Sequence, residues 1–106
     1  MKLDPARLLA QMNELQEKLQ ERLDSVEETA TAGGGMVTAT CNGRGELTAV
    51  HIDPEVASRD DVELLEDLVR AAVGEAQTRA RERARGELRQ LFGPLPIPDF
   101  LGGMPL

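Results

Sequence analysis

The sequence predicts an α+β domain with a long N-terminal helix, a small antiparallel sheet of two to three strands, and a long C-terminal helix. Three observations carry that prediction. Apolar residues recur every three or four positions from Leu8 to Val26. A β-rich alternating pattern runs from Met36 to Ile52 on either side of Asn42-Gly43. From Asp61 to about Leu91 a helical pattern continues without a proline.

The first helix is expected from about Asp4 to Val26. Asp4 can accept a hydrogen bond from the first free amides, and Pro5 stands where a missing N–H costs nothing. Leu8, Met12, Leu15, Leu19, Leu23 and Val26 form one narrow stripe. Two readings fit such a stripe: a coiled-coil or antiparallel packing seam, and an amphipathic helix lying on its own domain. The helix should fade around Val26 to Glu28. Thr29 to Ala32 offers a third strand, and Gly33-Gly34-Gly35 then predicts a flexible turn. These glycines are not read as a phosphate loop, because a strand follows them and no Lys-Ser/Thr pair is near.

Met36 to Cys41 and Glu46 to Ile52 read as paired strands. Asn42-Gly43 is the hairpin signal, since both residues accept positive φ. Asp53-Pro54 ends the sheet, because proline cannot continue a ladder. Ser58 or Asp60 is the expected cap of the last helix, with Glu63 placed to close a capping box. Its apolar row is Leu65, Val69, Ala72, Val73, Ala76, Ala80, Ala84, Leu88 and Leu91. The large side chains of the first half are expected to cover the sheet. The alanine-rich second half is expected to bury little and to project as an arm. Residues 1–92 thus form one domain, and 93–106 form an apolar tail rich in proline and glycine.

Composition narrows the function. With 106 residues and only two aromatics, Phe92 and Phe100, the core must be aliphatic and small, so association with a second copy is the natural remedy. The single Cys41 allows no disulfide within the chain, and with the single His51 it allows no zinc cluster. No nucleophile stands at a recognisable spacing from a base, and the carboxylates are scattered over helix faces. The expectation is a non-enzymatic protein with no metal, cofactor or small-molecule substrate. No run of residues approaches a membrane span and no signal peptide is evident, so the expected location is cytoplasmic.

The formal net charge is -7, yet Arg79, Arg81, Arg83, Arg85 and Arg89 fall within twelve residues. From Arg70 to Gln90 the net charge is +3, which leaves -10 on the rest of the chain. Arg81, Arg85 and Arg89 form one row, read as lying opposite the alanines, and Arg79 and Arg83 form a flanking row. Arginine favours bidentate pairing with phosphate, and a basic segment on a long helix suits the phosphates of a duplex. Helical neighbours such as Glu75–Arg79, Glu82–Arg85 and Arg83–Glu87 support a second reading, a solvated face laced with ion pairs. Aromatics are absent from helices and strands before Phe92, so stacking on single strands is not expected.

Three blocks in order, G-G-G-M-V-T-A-T-C-N-G, A-V-H-I-D-P-E and L-L-E-D-L-V-R-A-A-V-G-E-A, resemble those of the YbaB/EbfC family of bacterial nucleoid-associated proteins. The tail L-P-I-P-D-F is similar to that family's ending. The resemblance implies a tweezer-like homodimer that binds double-stranded DNA and affects nucleoid organisation and gene expression. It carries no base-reading motif. The expected DNA contacts therefore rest on charge and position: Arg79, Arg81, Arg83, Arg85 and Arg89, with Lys18 and Arg22 on the first helix. Leu15, Leu19, Val50, Ile52, Leu65, Leu68 and Val69 are expected to build the core and dimer contacts. The alternative is an acidic dimeric adaptor with no direct DNA contact, whose Leu8–Val26 seam and Leu95–Leu106 tail bind a partner protein.

Overall fold

A computed structural model describes residues 4–57 and 60–93. The elements follow in the order α1 (Pro5–Ser25), β1 (Glu27–Ala32), β2 (Val37–Asn42), β3 (Leu47–Ile52), α2 (Pro54–Ala57) and α3 (Val62–Phe92). The strands form one antiparallel sheet in the order β1-β2-β3. The predicted helix–sheet–helix architecture is therefore present, with a full third strand. The predicted 93–106 tail, from residue 94 onward, lies outside the described residues.

Local chemistry explains most boundaries. The Asp4 carboxylate accepts from the Ala6 amide at 3.1 Å, and Pro5 opens α1. The cap of α3 is Asp61 rather than Ser58 or Asp60, its carboxylate accepting from the Leu64 amide at 3.0 Å. Asp53-Pro54 does more than end the sheet. The Asp53 side chain accepts from the Glu55 amide at 2.8 Å and starts the short α2, which buries Val56.

The hairpin turn differs from expectation. No residue other than glycine has positive φ among the described residues, and the left-handed residue of the turn is Gly45, at φ 80°. The Gly45 amide donates to the Asn42 carbonyl, while the Asn42 side-chain oxygen accepts from the amides of Arg44 and Glu46. The result is a three-residue loop ending in a left-handed glycine, which gives the strands a compatible twist. Gly43 serves a separate purpose. Its amide donates to the Leu23 carbonyl at 2.9 Å, and a Cβ at this position would lie 2.6 Å from that oxygen. Gly43→Ala is therefore expected to push the hairpin off the end of α1. A destabilisation of about 1–3 kcal/mol in a denaturant titration is the expected result.

The core corrects the reading of α3. Ala72, Ala76, Ala80 and Ala84 are all completely buried, whereas Leu65, Leu68, Val69 and Val73 are half-buried around them. Ala72, Ala76 and Ala80 join Val26, Ala30, Val37, Ala39 and Cys41 in the main core. The alanines therefore do not mark a thinly buried arm. They are the contact that lets the α3 backbone lie close over β1 and β2, where larger side chains would hold it off. A second cluster forms farther along, where Leu19 and Leu88 are buried with Leu15, Leu91 and Phe92 against them. There α1 and the end of α3 run side by side and form an arm together. The stripe on α1 is thus a packing seam within the chain from Leu15 onward, while Leu8, Leu9 and Met12 remain about half exposed or more.

Candidate nucleic-acid interface

The buried alanine row divides the arginines of α3 between two sides of the helix. On one side, toward the free edge of β1, Arg79 donates through Nε to Glu75 at 3.1 Å and through Nη1 to the Thr29 carbonyl at 3.0 Å. One turn on, Arg83 pairs with Glu28 at 3.0 Å. A further turn on, Glu87 receives Arg22 of α1 at 3.0 Å. The Arg79–Thr29 bond also occupies a carbonyl of an edge strand and so blunts an edge open to further pairing.

Arg81, Arg85 and Arg89 run along the other side of the helix, where Arg81 faces the β2–β3 turn. This row does not lie wholly opposite the alanines. Arg81 is half-buried, its Nε has no hydrogen-bond partner and is closed off from solvent, and it sits beside Gly45. Gln77, one turn earlier, donates to the Gly45 carbonyl at 3.2 Å. The row therefore begins tucked under the hairpin and emerges into solvent at Arg85 and Arg89. Arg81 also exerts a positive field on Cys41, whose thiol is nevertheless pushed above its ordinary value of 9.0, because burial outweighs that field.

On α1, Lys18 and Arg22 border an open groove completed by Glu21, Ser25 and Leu91. Lys18 and Arg89 are exposed and have no ion-pair partner among the described residues. The structure therefore gathers Lys18, Arg22, Arg85 and Arg89 around the arm where α1 meets the end of α3. It holds Arg79 and Arg83 lower, along the sheet edge. One cation in this neighbourhood escapes the sequence reading, Arg44, which pairs with Asp24 at 2.8 Å at the foot of α1. Its place in a turn gives no periodic signal.

The acid partners also differ from those that helical spacing suggests. Glu75–Arg79 forms as expected, but Arg83 takes Glu28 and Glu87 takes Arg22, both across elements. The pairs are at least partly exposed, so each is worth at most about 1 kcal/mol and opens readily to a competing phosphate. Among the described residues no helix is long and apolar enough to cross a membrane.

The profile of the YbaB/EbfC DNA-binding family matches residues 1–95.

The chain belongs to this family.

Among YbaB/EbfC relatives, a nucleoid-associated protein of Thermoanaerobacter pseudethanolicus is 50% identical over 90 residues, covering 85% of this chain and 81% of its own. A nucleoid-associated protein of Rhodococcus opacus is 43% identical over 105 residues, covering 96% and 89% of the two chains. The crystal structure of an uncharacterized Helicobacter pylori protein superposes with a TM-score of 0.61 at 27% identity, covering 83% of this chain and 99% of the other. The α-β-α arrangement is thus shared with a solved protein across nearly that protein's whole length.

Proposed function

We propose that this YbaB/EbfC member is a non-enzymatic, nucleoid-associated protein that binds double-stranded DNA as a homodimer through phosphate contacts from its helical arms. The observation that carries the reading is the clustering of Lys18, Arg22, Arg85 and Arg89 about one arm of a chain whose net charge is -7. Arg79 and Arg83 extend the contact along the sheet edge. Arg81 contributes chiefly by packing. Contacts of this kind position a duplex without reading its bases, so sequence preference is weak. Localisation at the nucleoid in the cytoplasm follows from DNA binding and agrees with the names of the relatives. An effect on nucleoid organisation and on gene expression is the cellular consequence.

The homodimer rests on an uncovered apolar surface. Val50 and Ile52 pair with Ala39 and Val37, and so share the sheet face that α3 covers. But α3 lies over β1 and β2, which leaves Val50 and Leu47 exposed beside the half-buried Leu65, Val69 and Val73. A second copy seated there buries what one chain leaves open, as a small chain with an aliphatic core requires. Light scattering is expected to give twice 11.5 kDa. Val50→Glu puts a charge into that contact and is expected to give the single-chain mass; a dimeric mass for this variant places the contact elsewhere.

The direct test of the function is titration of a labelled duplex across a salt series. Binding whose logarithm falls linearly with the logarithm of salt supports phosphate contacts. Absence of binding at ~50 mM salt leaves the adaptor reading, which the exposed Leu8, Leu9 and Met12 favour.

A further inference from the structure

Asn42-Gly43 marks the β2–β3 turn, and it is also the one Asn-Gly pair of the chain. In such a pair no side chain on the following residue shields its backbone nitrogen, so cyclisation is easier than at any other asparagine. The glycine nitrogen attacks the asparagine Cγ. The N–Cγ bond forms, the Cγ–Nδ2 bond breaks, and the amide proton leaves with Nδ2 as ammonia. Water then opens the succinimide at either carbonyl and leaves aspartate or isoaspartate.

In the folded chain each group that would react is engaged. The Gly43 N–H donates to the Leu23 carbonyl at 2.9 Å. That carbonyl lies in the last turn of α1, where helix carbonyls lack partners within the helix, so the bond serves both elements. Asn42 Oδ1 accepts from the amides of Arg44 at 3.0 Å and Glu46 at 3.1 Å, and Nδ2 donates to Glu46 Oε1 at 3.1 Å. Asn42 is the last residue of β2, and ring closure requires its backbone to leave the extended conformation. Gly43 is buried against Leu23 and Val26. An imide nitrogen has no proton to offer the Leu23 carbonyl, so the ring and this contact exclude each other.

We propose that Asn42 is a latent modification site that α1 keeps shut by holding the Gly43 amide. It opens to succinimide formation when the foot of α1 leaves the hairpin. The change runs one way. Aspartate at this position replaces the Nδ2 donor with a carboxylate oxygen facing Glu46. Isoaspartate routes the main chain through the former side chain and lengthens the turn by one carbon. Neither restores all three bonds of Asn42, so the modified hairpin does not close on α1 as before. The docking of α1 thus sets the chemical lifetime of the turn, whether or not the protein binds DNA.

Peptide mapping by mass spectrometry after incubation at mildly alkaline pH tests the proposal. Trypsin isolates Asn42 in the peptide Leu23–Arg44, and Asn13, in Leu8–Lys18, gives the background rate. Conversion at Asn42 is followed in the native full chain, in the same chain unfolded in guanidinium, and in two variants. Leu23→Ala loosens the foot of α1. Leu19→Ala loosens α1 on α3, away from the main core, and decides the matter should Leu23→Ala fail to fold. The native chain is expected to convert at least about tenfold more slowly than the unfolded one, and the folded variants at a rate between the two, with the β2–β3 amides still protected from hydrogen exchange. Equal rates in the native and unfolded chains overturn the proposal. So does the native rate in every variant that folds.

Discussion

Ala76→Leu is expected to be the most damaging single change to the fold. Ala76 is completely buried in the line along which α3 lies on the sheet, among Val26, Ala30, Val37, Ala39 and Cys41. A leucine brings three more carbons into a contact with no room, so either α3 rises off β1 and β2 or the strands bend. Overpacking of this kind costs about 3 kcal/mol or more when neither partner can yield. Here both partners are regular elements tied by backbone hydrogen bonds. A domain of this size has about 5–15 kcal/mol in all, so the loss is a large share. At fixed protein concentration, a thermal melt is expected to fall by at least about 12 °C. Gln90→Leu places the same side chain at an exposed position of the same helix and is expected to stay within about 0.5 kcal/mol of the parent. Equal effects from the two variants refute the close-approach role of the alanines.

Opposite charge changes on the arm are expected to move DNA affinity in opposite directions. Lys18→Gln/Arg85→Gln/Arg89→Gln removes three exposed cations around the arm. Every phosphate that the variant no longer neutralises lowers the log–log salt slope by about 0.9, and binding near ~0.1 M salt is expected to weaken by roughly 100-fold. Glu28→Gln/Glu75→Gln/Glu87→Gln works the other way. Those carboxylates hold Arg83, Arg79 and Arg22 at 3.0–3.1 Å. Neutralising them raises the net charge by three and releases Arg83 and Arg22 from their acid partners, while Arg79 keeps its bond to the Thr29 carbonyl, so binding tightens and the slope steepens. The cost in stability is small, because exposed pairs contribute about 0–1 kcal/mol each. A protein that never touches DNA responds to neither variant. One in which the arginines only keep the helix soluble loses solubility without any change in a salt slope.

Much of the architecture is legible in the sequence because it rests on local rules. The Asp4-Pro5 start of α1, the glycine turn between β1 and β2, and the β2–β3 hairpin each follow from a few adjacent residues. The departures share one cause, contact between elements distant in the chain. Asn42-Gly43 marks the hairpin correctly, but the left-handed conformation falls on Gly45, since Gly43 is held by Leu23 of α1. Small side chains suggest weak burial for the alanine row. Against a sheet the reverse holds: the smallest side chains mark the closest approach. Helical spacing finds the Glu75–Arg79 pair but not Arg83–Glu28 or Arg22–Glu87, whose members are 55 and 65 residues apart.

The sequence by itself determined the two long helices and the strands between them, though not the short α2, together with the polarity of charge along the chain and the family. Periodicity, caps and turn residues act within a few positions, and composition needs no coordinates. Only the tertiary structure decided which face of α3 is buried and how the arginine cluster is divided. It alone placed Arg81 under the hairpin and left Arg89 in solvent beside α1. A one-dimensional row of cations has no sides until a sheet lies against the helix that carries it.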